Sequence, residues 1–142
     1  MDILFSVKFI KVALLSTIIF IVLDITWLSQ VARKLYLKNL GYLAVIRNNR
    51  VKFRLGIGLA AQAVIALGLA VMVTVSLQVN GSLASSVISG GFCGFVLYAT
   101  YDLTNLSFVK DWPVPITIID IAWGTAQGAM AGLYVYHLLR LF

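Results

Sequence analysis

Three aspartates carry the chemistry this sequence could do. Asp120 sits in the apolar run Ile118-Ile119-Asp120-Ile121-Ala122-Trp123-Gly124, with a tryptophan three positions later. Near the other end of the chain, Leu23-Asp24-Ile25-Thr26-Trp27 repeats the Asp-Ile-x-Trp pattern. Asp102 lies within Tyr101-Asp102-Leu103-Thr104-Asn105. A carboxylate inside a membrane helix is costly, and by default it marks a proton, cation or ligand site. Two such acids held close together could instead act as the acid and base of an enzyme. The sequence has no Asp-x-x-Asp or His-x-x-His spacing and no His or Cys beside the acids. The pattern therefore calls for no metal and no cofactor.

Composition places these acids in a membrane. The 142 residues are 61% hydrophobic and only 11% charged, whereas roughly a quarter of a soluble chain is charged. The net charge of +6 is concentrated: Arg33, Lys34, Lys38, Arg47, Arg50, Lys52 and Arg54 fall in one inter-helix segment. That concentration is a topology signal and not a nucleic-acid footprint. Cys93 is the only cysteine, so no intrachain disulfide can form. His137, alone near the C-terminus, reads as an interfacial side chain and not a haem or zinc ligand.

The elements that must position the acids follow from hydropathy. Lys8 and Lys11 precede an apolar run that resembles a signal peptide, but Asp24, Trp27 and Gln30 stand where a small-residue cleavage site would be. Residues 9–30 are therefore expected as a first spanning helix. Basic residues alternate with Leu35, Tyr36, Leu37, Leu40, Tyr42, Leu43 and Ile46 in the next segment, the pattern of an interfacial amphipathic stretch. Asn48-Asn49 breaks it ahead of a second spanning helix at 53–77, which begins at Lys52 or Leu55. The small residues Gly56, Gly58, Ala60, Ala61 and Gly68 of that helix would allow close packing. The uncharged turn at 78–82 leads to a third helix at 83–106. Asp111 is expected to cap a fourth, at 114–139, with Pro113 and Pro115 in its first turn. The fold expected is all-α, a single four-helix transmembrane bundle over residues 1–142.

This order brings the polar residues to one end. Asp24 lies about six residues before the end of the first helix and Asp120 about as far into the fourth, roughly 9 Å deep at 1.5 Å per residue. Asp102 and Asn105 close the third helix, and Gln62 shares that half of the second. Residues four apart share a helix face, so Asp120, Gly124, Gly128 and Gly132 form one stripe. Ser86, Gly90, Gly94, Tyr98 and Asp102 form another. If the two stripes meet, both acids turn away from lipid. Trp27, Trp123 and Tyr101 would then wall a polar pocket, though tryptophans also settle at interfaces, as Trp112 should. Buried acids can also serve packing specificity alone through an interhelical hydrogen bond. The repeated Asp-Ile-x-Trp could be a relic of an inverted repeat, but the surrounding residues do not extend the match.

Leu-Asp-x-x-Trp-Leu in the first helix, with Tyr-Asp-Leu-Thr-Asn, Lys-Asp-Trp-Pro and Asp-Ile-Ala-Trp-Gly, resembles the DUF2177 family of small bacterial membrane proteins. The similarity covers nearly the whole chain and is most specific from Tyr101 to Gly124. It implies four helices in a bacterial inner (cytoplasmic) membrane, with lipids as neighbours, and it supplies no reaction. The residues themselves favour binding or transport of a small molecule or lipid through Asp24, Asp102, Asp120, Trp27, Trp123, Tyr101, Asn105 and Gln62. Four helices are few for alternating access, so a transporter would require a homodimer. The alternatives are an enzyme using paired carboxylates on a lipid or isoprenoid, and a noncatalytic partner of another membrane protein.

The charge distribution also orients the chain. Eight basic residues lie in the first and third connections and three on the opposite side, so the basic connections should face the cytoplasm and both termini the outside. Reporter fusions after Phe142 should score as outside the cytoplasm. A cytoplasmic score would reverse the orientation and move the acids to the other face of the membrane.

Overall fold

A computed structural model describes residues 2–43, 46–48, 50–51 and 54–142. A single-turn 3-10 helix at Asp2–Phe5 precedes α1 (Val7–Thr26), which passes into a π-helical turn at Trp27–Val31 and then α2 (Arg33–Leu40). Two-residue strands β1 (Ile46–Arg47) and β2 (Arg50–Val51) form a small antiparallel hairpin, and α3 (Leu55–Val79), α4 (Leu83–Phe108) and α5 (Val114–Leu141) complete the chain. The bundle is all-α as expected, with a short helix where the amphipathic stretch was read. Asn49 and Lys52 lie outside the described residues. Asn48, at φ 50°, takes the left-handed conformation that a two-residue hairpin turn needs.

Local chemistry sets most of the boundaries. Ser6 accepts a hydrogen bond from the Phe9 amide at 3.1 Å and so caps α1; Ser82 caps α4 in the same way through Ser85, also at 3.1 Å. Asp111 is not the cap of α5. Pro113 takes that position without a side-chain bond, while Asp111 turns the chain at φ 59° and its carbonyl accepts from the Tyr42 hydroxyl at 2.6 Å.

Among the described residues, the stretches Val7–Val31, Leu55–Val79 and Leu83–Phe108 are long and apolar enough to cross a membrane. At 28 residues α5 is longer than any of them, but its polar and glycine positions lower its hydropathy. Those positions, including Gln127, Gly124, Gly128 and Gly132, are buried. The whole molecule follows the same rule. Ser16, Asp24, Thr74, Ser86, Asp102, Thr117 and Gln127 are buried while Val64, Ile88, Phe92 and Ile118 are exposed, the inverse of a water-soluble surface.

Helices α4 and α5 run antiparallel in backbone contact. A Cβ on Gly94 would strike the Gly124 carbonyl, and one on Gly128 would strike that of Gly90. The two glycine stripes read from the sequence therefore face each other. Helix α1 packs across α3 and α5, where Phe9, Val12, Ala13, Ala70, Val73 and Val135 form one apolar cluster and Phe20, Ala66, Leu69 and Ala131 a second. These clusters fill the end of the bundle away from the acids. The expectation for α3 fails at its glycines: Gly56, Gly58 and Gly68 have nothing within 4 Å of where a Cβ would stand. A small residue allows close approach, but it does not decide which helix approaches.

Gly128→Ala should therefore destabilise the protein by about 1–3 kcal/mol through overpacking, whereas Gly56→Ala should stay within about 0.5 kcal/mol of the parent. Thermal or denaturant unfolding in detergent measures both. Equal stability of the two variants would mean that α4 and α5 do not meet through these glycines.

Candidate functional site

The three aspartates line one cavity of about 500 Å³, each carried by a different helix. Asp24 comes from the last turns of α1, Asp102 from the last turns of α4 and Asp120 from the start of α5. Antiparallel packing of α4 on α5 places their acids at the same end of the bundle, and Gln62 joins them from the first half of α3. Helix α2 closes that end with Tyr36. Leu28, Ala61, Ile65 and Leu97 supply apolar wall, and Tyr98, Tyr101 and Trp123 supply aromatic wall.

The carboxylates differ in their partners. Asp24, buried at 4% exposure, accepts from Trp123 Nε1 at 3.0 Å on Oδ1 and from the Gln62 side-chain amide on Oδ2. Asp120 accepts from the Tyr36 hydroxyl. Asp102 is 0% exposed and neither of its oxygens has a hydrogen-bond partner. A buried carboxylate without donors is several kcal/mol costlier than a paired one. No Lys, Arg or His is among the described residues lining the cavity.

The two Asp-Ile-x-Trp copies meet through their tryptophans. Trp123, which follows Asp120, donates to Asp24 of the first copy. Trp27, which follows Asp24, stacks face to face on Trp123 with ring centroids 4.4 Å apart and planes 3° from parallel. Trp27 thus braces the cavity from behind. Its helix widens there: the Ala32 amide reaches back five residues to the Trp27 carbonyl at 2.9 Å, a π-type turn of the kind often found at functional sites.

Two expected site residues do not line the cavity: Trp27, which stands behind Trp123, and Asn105, which the fold carries elsewhere. The Asn105 amide donates to the Tyr101 carbonyl of its own helix at 2.9 Å, and the residue lies in a shallow groove with Val96, Thr100 and Thr104. Tyr101 borders both spaces.

Two wall residues were not singled out from the sequence. Tyr98 sits on the same stripe as Asp102, one turn earlier, and its hydroxyl donates to Gln127 Oε1 at 3.2 Å. Gln127 in turn donates to the Phe20 carbonyl of α1 at 3.2 Å. The stripe was the available signal for Tyr98. Tyr36 had none, because the amphipathic segment does not say which of its aromatics turns inward. Burial and the adjoining Asp120 carboxylate push the Tyr36 phenol above its ordinary range, so it remains a donor at neutral pH.

Residues 9–137 match the model of the DUF2177 family, described as a predicted membrane protein, and the chain belongs to that family. No curated protein and no solved structure matches it.

The Tyr36 hydroxyl bonds α2 to Asp120 of α5, so Tyr36→Phe should loosen that helix. A hydrogen bond to a charged acceptor contributes about 1.5–3 kcal/mol, which corresponds to roughly tenfold or more faster trypsin cleavage after Lys38 in folded protein. Unchanged cleavage would show that the Tyr36 to Asp120 bond does not hold α2.

Proposed function

We propose that this multi-pass DUF2177 protein binds small organic cations in the acidic, aromatic-walled cavity. The observation that carries this reading is the lining itself: three carboxylates and four aromatic side chains around about 500 Å³, without a described basic residue. The volume falls in the range of pockets that enclose drug-sized molecules. Aromatic faces beside carboxylates are the usual recognition chemistry for an ammonium group, through ring quadrupoles and ion pairing.

A bulky cation fits the donor accounting better than an inorganic one. Hard ions such as calcium take six to eight oxygen ligands, whereas both oxygens of Asp24 and one of Asp120 already accept hydrogen bonds. Among the described residues no three of His, Cys, Asp and Glu gather as a metal-binding group. The remaining wall is apolar, and it suits the hydrocarbon part of a ligand arriving from lipid or from the basic, cytoplasm-facing end. Membrane lipids surround the exposed apolar faces, and movement of the ligand across the membrane would require a homodimer to provide alternating access.

Benzyltrimethylammonium tests this reading, with neopentylbenzene as its uncharged isostere. In detergent the cation should raise the unfolding temperature in a dose-dependent way, with ~2.7 kcal/mol of stabilisation at 100 times its Kd. Sodium chloride at equal ionic strength should not. No shift with the cation, or an equal shift with the isostere, would overturn the proposal.

A further inference from the structure

We infer that Asp102 exchanges a proton for the bound cation, so that each ligand entering the cavity releases one proton. The inference rests on the cation-binding reading above and assigns the charge exchange to one residue. Asp24 has a donor on each oxygen, and Asp120 has Tyr36. Asp102 has none, and no water-sized sphere touches it. It is the one carboxylate of the three to which no described residue donates a hydrogen bond.

The surroundings of Asp102 keep the proton in place while the cavity is empty. Its own helix presents Tyr98 and Tyr101, α5 presents Asp120, α1 presents Asp24 and α2 presents Tyr36. Helix α3 contributes Gln62, which does not titrate. These neighbours are neutral phenols or carboxylates, so they add only negative charge beside Asp102 as it ionises. While the cavity is empty, a proton on the carboxyl is what neutralises this fully buried group. A quaternary ammonium in the adjoining cavity then supplies the missing positive charge, and the ionised form becomes the stable one.

The step balances in atoms and charge. The Asp102 carboxylic acid loses its O–H proton to water, no other covalent bond changes, and the charge left on the carboxylate is offset by the ligand cation in the adjoining cavity. Asp102 and its counter-charge are thus neutral together in either state. A transporter built on it would exchange protons for organic cations, because the two cannot neutralise Asp102 together.

Benzyltrimethylammonium is again the probe, since it has no proton of its own to lose. Binding is followed by calorimetry in detergent, and proton release by a pH indicator in weakly buffered solution near neutrality. The wild type should release about one proton per cation bound. Its affinity should rise with pH by up to tenfold per unit, then level off once free Asp102 is ionised. Asp102→Asn should release no proton and give a flat pH profile, while Asp111→Asn, in the α4 to α5 link, should behave as wild type. If Asp102→Asn does not fold, release and pH slope in the wild type decide. Binding without proton release, or release that persists in Asp102→Asn, would overturn the exchange and leave the cation site standing. Absence of binding would overturn both.

Discussion

Backbone contact between α4 and α5 is the constraint on which the rest of the site depends. In a bilayer, apolar side chains gain little by leaving lipid for one another, so helices associate through close packing and interhelical hydrogen bonds. Gly90 and Gly94 meet Gly124 and Gly128 with no room for a Cβ. That proximity brings the two helices together along their length and sets Asp102 and Asp120 in one cavity wall. The same absence of a side chain at Gly124 leaves space for the Tyr98 ring, which would otherwise collide with a Cβ there. Tyr98 can then reach Gln127, and Gln127 can reach the α1 backbone.

The bundle divides its interior between two kinds of stabilisation. Toward one end, apolar residues from α1, α3 and α5, Phe9 and Phe20 among them, fill the space. At the other, hydrogen bonds from Trp123, Gln62 and Tyr36 to carboxylates tie together α1, α3, α5 and α2. A polar network can specify a geometry only where its members are satisfied, and here Asp24 is fully satisfied whereas Asp102 is not. That asymmetry separates Asp24, which has a donor on each oxygen, from Asp102, which has none.

Helix α2 closes the end of the cavity with Tyr36. It follows a π-type turn, and its inward anchor on α5 is the Tyr36 hydroxyl, with Tyr42 making a second attachment to the Asp111 carbonyl.

The sequence by itself determined much of this protein, because membrane insertion imposes simple rules. Apolar runs long enough to span marked the helices within a few residues of their ends, and two prolines marked where the last of them begins. A four-residue period put Asp102 and Asp120 on glycine faces, and the meeting of those faces in the fold turns both acids toward the cavity. Hydropathy also placed Asp24, Asp102, Asp120 and Gln62 at a common end, since depth along a helix follows directly from position in the chain. Which donor meets which acid was decided only by tertiary structure. The crossing of the two Asp-Ile-x-Trp copies, the inward turn of Tyr36, the turn of Asn105 away from the cavity and the open surroundings of Gly56 and Gly58 depend on the rotation and neighbours of whole helices. A helical period fixes which residues share a face, but the face that each neighbouring helix presents is settled only when all of them pack at once.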